Sequence, residues 1–258
     1  MKAFLKKLRY PRRCYVVCAV ARSGSNMLTD GLHATRHAGR PNQYFLRQFE
    51  QHFGAKHGLN AASDFVGYVR GIIDRTATSN RVFGFKLMAW YVTDFTARLR
   101  NAGSFGAADA TELEVLERAF PRLQFIHIAR RDRLRQAISK ARAMQTGLWK
   151  VKQGKAAAAD PEFDAKLIER CLDEAQQGEN VWIDFFRRNN IAPFEVEYEE
   201  MCENYDAVVA SVLDFLRISV PKNARVSQPL TVRQSDDISR QWRDLYLESM
   251  GKRNLGSA

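Results

Sequence analysis

Four cysteines in 258 residues are too few for the disulfide framework of a small secreted protein. Cys14 and Cys18 stand four apart in an apolar run, on one face of an expected strand, and no nearby histidine completes a zinc site with them. They read as reduced core thiols, which points to a cytoplasmic location. Long apolar runs are also missing. The run from Cys14 to Ala21 stops at Arg22, short of the roughly 20 residues that cross a bilayer. There is no internal repeat and no break in composition to divide the chain. Residues 14–258 are therefore expected to form a single domain behind a basic extension, 1–13.

Acidic residues are in deficit, 29 against 40 lysines and arginines, which leaves a net charge of +11. Such an excess favours an anionic partner: nucleic acid, a membrane surface or a phosphorylated small molecule. The extension "MKAFLKKLRYPRR" mixes cations with Phe4, Leu5, Leu8 and Tyr10, a pattern that suits peripheral contact with an anionic membrane, including the inner membrane surface, or simply a solvated tail. No nucleic-acid partner is expected, because the chain lacks both a basic strand interleaved with aromatics and a recognisable DNA-binding motif.

What is present is an alternation of apolar strands and amphipathic helices. Tyr15–Val20 is apolar throughout, as a strand buried on both faces would be. A helix is expected from Ser25 to His33. "AASDFVGYVRGIIDR" has helical spacing, "RVFGFKLM" forms a second strand ending near Lys86, and "WYVTDFTARL" follows as a helix. Gln124–Ala129 is a third strand. Helical stretches continue to Arg188, the Ala156–Ala159 run among them. "FEVEY" is a fourth strand and "AVVASVLDFL" a further helix. This order predicts an α/β fold of three layers, a parallel sheet covered by helices on both faces. Ligands of such sheets bind beyond the carboxyl ends of the strands, where Arg22, Lys86 and Arg130 all fall.

The first turn, "RSGSN", carries the chemistry. A helix N-terminus after a glycine turn offers unpaired N–H groups and the positive end of a dipole. Gly24 allows close approach, Ser23 and Ser25 add hydroxyls, and Arg22 adds a forked cation. The loop has no Gly-Lys-Ser/Thr ending and no Asp-containing Mg²⁺ motif follows, which argues against a kinase or ATPase. A second basic cluster, "IARRDRLRQAISKAR", places Arg130 at a strand end and Ser139 in the next helix, where together they can clamp a second phosphate. The other cations, Arg131, Arg133, Arg135, Lys140 and Arg142, read as a solvated helix face. Two separated phosphates and no metal point to 3′-phosphoadenosine 5′-phosphosulfate (PAPS).

"RSGSNML", "GFKLM", "IHIARRD…QAIS.ARAMQTG.W" and "RQSDD…W", in that order from about Tyr15 to Tyr246, resemble the trehalose 2-sulfotransferase family of bacteria. The resemblance implies a P-loop-like α/β fold and a PAPS-dependent carbohydrate sulfotransferase, a homodimer that moves a sulfuryl group to a sugar or glycolipid hydroxyl. It implies that Arg22, Ser23, Gly24, Ser25 and Asn26 hold the 5′-phosphosulfate and that Arg130 and Ser139 hold the 3′-phosphate. Arg233 and Gln234 would lie on a C-terminal loop over the nucleotide. Lys86 would stabilise charge on the transferring group.

Two departures stand out. Where the family has Gly-Glu-Pro-Gln-Glu-Phe-Phe, this chain reads "GRPNQYF", so Gln43 stands in place of the proposed general base. Where it has His-Arg-Pro-Asp, this chain reads "ARRD", which keeps Arg130. With Gln43 unable to accept a proton, water, another side chain such as His37 or Glu50, or the transferred group itself would have to take it. His127, alternating with Phe125 and Ala129, reads as a core residue. The departure at Gln43 keeps open a nucleotide-binding module that has lost catalysis, and the net charge keeps open a nucleic-acid binder.

Overall fold

The computed structural model describes residues 11–149, 160–221 and 237–255. In chain order the elements are β1 (Arg13–Ala19), α1 (Ser25–Ala34), α2 (Arg47–His57), α3 (Phe65–Thr76), β2 (Val82–Met88), a 3₁₀ turn (Ala89–Tyr91) and α4 (Val92–Asn101). There follow α5 (Glu112–Ala119), β3 (Leu123–Ala129), α6 (Arg133–Thr146), α7 (Ala165–Arg188), β4 (Phe194–Glu197), α8 (Tyr198–Glu203), α9 (Tyr205–Phe215) and α10 (Asp237–Leu255). All four expected strands form. β2 continues two residues beyond Lys86, so the lysine sits inside the strand rather than at its end.

The strands form one parallel sheet in the order β2-β1-β3-β4, with Cys18 opposite Leu87 on one side and His127 on the other. Every residue of β2, and of β1 beyond Arg13, is buried, as the unbroken apolar runs require when helices cover both faces. This is an α/β fold built on a parallel sheet. Because the chain passes from β1 to β2 on one side and then crosses back to β3 on the other, the crevice between β1 and β3 is the switch point where such sheets take their ligands.

Side-chain caps set several helix starts. Asp64, Asp132 and Asp164 accept from the backbone N–H three residues on, and Thr111 with Glu114 closes a capping box. α7 packs on one sheet face: the indole Nε1 of Trp182 donates to the Ala19 carbonyl (3.1 Å), and Phe185 and Phe186 meet Phe125. Phe83, Phe85, Phe95 and Phe120 form an aromatic core against β2. A second apolar cluster joins Ala137, Ile138 and Ala141 of α6 to Ile168 and Cys171 of α7 and to Trp242 and Tyr246 of α10. Cys14, Cys18, Cys171 and Cys202 are all free, as expected of reduced thiols. Burial pushes the Cys14 thiol up to about 12, which makes it inert.

Among the described residues no helix is long and apolar enough to cross a membrane. Most of the basic extension, and the Ala156–Ala159 run, lie outside the described residues.

Candidate active site

The turn after β1 is built for close approach. Arg22 (φ 66°) and Gly24 (φ 89°) both adopt left-handed backbone, and Gly24 is the N-cap of α1 with no side chain capping that helix. The glycine is required twice over, since a Cβ there would lie 2.3 Å from the Tyr198 ring. An arginine held at positive φ is backbone strain of the kind that collects at ligand-binding turns. Ser23 is buried, and its hydroxyl has no hydrogen-bond partner among the described residues. A buried hydroxyl with no internal partner is costly, and a bound oxyanion would satisfy it.

Arg22 and the second basic cluster converge. The Arg22 Nε donates to Ser139 Oγ (2.8 Å) and its Nη1 to the Trp149 carbonyl (2.7 Å). Arg130 lies across the Tyr198 ring at 4.5 Å and reaches the Arg22 carbonyl. Burial, with Arg130 and Arg142 close by, pulls the Arg22 guanidinium down to about 10. The Arg130 guanidinium is likewise lowered by burial, against the pull of Tyr198 and Glu199. Two half-buried guanidiniums that raise each other's energy in this way favour an anion between them. Arg130 also stands 3.9 Å from Glu199, and the surrounding Arg131, Arg133, Arg135 and Lys140 pair more closely with Glu197, Glu179, Asp132 and Glu174.

Lys86 is buried, 3% exposed, although it is a lysine. Its Nζ donates to Asn26 Oδ1 (2.5 Å) and lies 3.4 Å from Ser25 Oγ, so β2 delivers an ammonium to the first turn of α1. The Lys86 backbone N–H also bonds the Asn42 carbonyl (3.0 Å), which lays the 39–42 segment along the edge of β2. Gly39 (φ 75°) permits this, since a Cβ there would stand 2.9 Å from the Gly84 nitrogen. That contact brings Gln43 to the same cavity as Lys86.

The cavity, about 950 Å³, is lined by Arg22, Gly24, Ser25, Asn26, Gln43, Lys86, Arg130 and Ser139 among others. Seven of these eight residues stem from three separate strands and the elements that follow them, and Gln43 from the segment along β2. The two alternative proton acceptors are not there. Glu50 is held by both terminal nitrogens of Arg98 (2.7 and 2.8 Å). The ring Nδ1 of His37 bonds the Thr35 carbonyl, and neither residue lines the cavity. Arg233 and Gln234 lie outside the described residues, although α10 beyond them reaches the site, with Ser239 in the lining and bonded to Arg142 (2.6 Å).

Sequence reasoning missed Tyr198, the platform under Arg130, although it follows β4 directly and the strand-end rule would have found it. It also missed α7, whose Gln177, Gly178 and Val181 form one wall. Gly178 is the signal there. A helical glycine costs about 1 kcal/mol relative to alanine, and here it lets α7 approach Val20 and Ala89 within van der Waals contact.

His127 pins that wall. It is buried, as expected of a core residue, but it is also an ionic one, 3.2 Å from Glu179 of α7 and 2.8 Å from Glu195 of β4. Burial works against its charge, yet the two carboxylates outweigh it and raise the imidazole to about 9. A raised histidine stabilises the fold fully below its unfolded value, about 6.5, and that contribution is lost as pH rises through about 9. Wild-type stability measured by urea unfolding should therefore fall by about 2–3 kcal/mol between pH 6 and pH 10 relative to His127→Gln. Parallel pH profiles for the two proteins would show that His127 is neutral in the fold.

Two guanidiniums, an uncapped helix start and a buried lysine meet around one cavity at the switch point of a parallel sheet, an arrangement whose charge suits an anionic ligand. Residues 14–249 match the family model described as Stf0 sulphotransferase, and the chain belongs to that family. It is thus a member of a group of transferases that act with a sulfuryl donor. It is similar to trehalose 2-sulfotransferase of Mycolicibacterium smegmatis, 27% identical over 90% of this chain and 93% of that one. It is similar to the enzyme of the same name from Mycobacterium tuberculosis, 27% identical over 91% and 94%. The sulfotransferase domain from the Synechococcus PCC 7002 olefin synthase aligns over 92% of this chain and 95% of that one, at 11% identity and a TM-score of 0.48.

Proposed function

We propose that the protein, acting through one catalytic unit over residues 14–258, transfers a sulfuryl group from PAPS to a hydroxyl of a sugar or glycolipid. The observation that carries this reading is the meeting of Arg22, Ser139, Arg130 and Lys86 around one cavity. The buried hydroxyl of Ser23 and the close-approach turn at Gly24 fit an oxyanion at the start of α1. In this reading the loop from Arg22 to Asn26 holds the 5′-phosphosulfate, and Arg130 with Ser139 holds the 3′-phosphate.

The donor supplies an activated sulfuryl group: the acceptor oxygen bonds to sulfur, the S–O bond to the 5′-phosphate breaks, and the hydroxyl proton passes to water. The chain's own contribution is positioning and charge, as for related transfers to phosphorus. Lys86 and Arg22 neutralise negative charge that builds on the transferring and leaving oxygens. Gln43 holds the acceptor hydroxyl by its amide and takes no proton.

A general base contributes about 10²–10⁴-fold in most enzymes, so a glutamine there slows transfer without abolishing it. Gln43→Glu should keep the fold and add an acidic limb to the rate, falling as pH drops through the new carboxyl's value, at or above about 4.3. Gln43→Ala should lower the rate only about tenfold or less, the loss of one neutral hydrogen bond. If both variants follow the parent's pH profile on a working acceptor, Gln43 does not meet the acceptor.

The function itself is tested by incubating the protein with labelled PAPS and a panel of sugars and glycolipids, with calorimetric binding of 3′-phosphoadenosine 5′-phosphate alongside. Tight nucleotide binding without sulfated product from any acceptor would favour a nucleotide-binding module. Homodimer formation, which the family resemblance implies, is read from sedimentation of the same sample.

A further inference from the structure

The cavity has a second character away from the phosphate cluster. Among the described residues, nine large apolar side chains are exposed, and four of them, Phe49, Trp90, Trp149 and Val181, line this one cavity. Trp90 is 66% exposed in the turn directly after β2, four residues from Lys86, and Phe49 stands on α2 six residues beyond Gln43. Val181 faces the same opening from α7. A tryptophan so exposed is costly in water, and clustered exposure of this kind marks a binding surface.

Leu46 and Met88 continue the apolar lining inward from this rim. Among the described residues the only carboxylate in the lining, Glu174, is engaged by Lys140. The polar groups on this side are three amides, Gln43, Gln48 and Gln177. A free sugar carries hydroxyls on every edge. Laid across leucine, methionine and valine, most of them would lose water without gaining a partner. Three amides suffice for one sugar ring whose reacting hydroxyl points to Lys86. The aromatic and aliphatic side chains then remain for something apolar attached to that ring.

We infer that the acceptor is an amphipathic glycoside, a sugar joined to an apolar chain or aglycone, with the sugar between Gln43 and Lys86 and the apolar part across Phe49, Trp90 and Val181. The occupant follows from a shared cavity: Phe49, Trp90 and Val181 line the same cavity as Gln43 and Lys86, so whatever lies across the rim is the remainder of the molecule whose hydroxyl reacts. This inference rests on the sulfotransferase reading for the identity of the reaction, but not for the measurement that tests it.

The probe is octyl glucoside below its micellar concentration, compared with methyl glucoside, in binding titrations with 3′-phosphoadenosine 5′-phosphate present and in sulfate transfer from labelled PAPS. The octyl compound should bind at least tenfold more tightly and, where transfer occurs, show at least a tenfold higher kcat/KM. The double variant Trp90→Ala, Val181→Ser, both at exposed positions, should lose that preference and keep the parent's affinity for the nucleotide. Equal binding of the two glucosides overturns the inference. So does a preference that survives in the double variant. A change in sedimentation of that variant without a change in preference overturns it too, and assigns the rim to a second copy of the chain. Failure of the nucleotide to bind and absence of transfer to any acceptor would sink the sulfotransferase reading instead, while the glucoside preference is still read by binding.

Discussion

Lys86→Met is expected to lower kcat by about 10²–10³-fold while leaving the fold and most of the nucleotide affinity intact, the loss seen when one preorganised charge-stabilising group is removed. Methionine matches the volume of the buried chain, so the variant removes the ammonium and not the packing. Lys86 is nearly fully buried, and its Nζ is already held by Asn26 and Ser25 at the start of α1. An ammonium fixed this way needs no rearrangement when charge appears on the transferring oxygens, and in a dry site its field is worth more than in water. Thermal unfolding of the variant should stay cooperative. A kcat within threefold of the parent would mean that Lys86 is a structural cation that only anchors Asn26.

The second large effect concerns the arginine cluster. Arg130→Ala should weaken 3′-phosphoadenosine 5′-phosphate by roughly 10–100-fold, the ~1.5–3 kcal/mol of a hydrogen bond to a charged group, with Ser139→Ala costing less. The analogue without the 3′-phosphate should lose clearly less in both variants. The difference between the two nucleotides is the informative quantity, because Arg130 also stacks on Tyr198 and its loss will loosen that wall for any ligand. Equal losses for both nucleotides in calorimetry would mean the cluster meets the other phosphate. That alternative is physical, since Arg22 of the loop donates directly to Ser139 and the two subsites share a partner.

Much of this was legible in the sequence for a specific reason. A parallel strand buried on both faces needs an apolar run, and Tyr15–Val20 provides it unbroken, while Gln124–Ala129 provides it around His127. The residues just beyond such strands lie at the ligand edge, which is why Arg22 and Arg130 could be named together. Lys86 was placed slightly wrongly, because a lysine normally ends an apolar strand and here it is buried within one. α2 escaped notice because its inward face carries Glu50, paired with Arg98, where a leucine would have betrayed the helix. The apolar rim was hidden for a different reason. Phe49, Trp90 and Val181 come from α2, the 3₁₀ turn and α7, and only the packing of α7 against that turn unites them. Gln43 was readable as a departure, but its place beside Lys86 depends on the bond from the Lys86 backbone to Asn42.

The most direct test of the central claim, that this cavity is a donor site with two anion subsites, is a crystal structure with 3′-phosphoadenosine 5′-phosphate bound. The expected result puts the 5′-phosphate at the start of α1, against Ser23, Gly24 and Ser25 and within reach of Lys86, with the 3′-phosphate at Arg130 and Ser139. A nucleotide found elsewhere, or bound here with its 3′-phosphate away from Arg130 and Ser139, would contradict it.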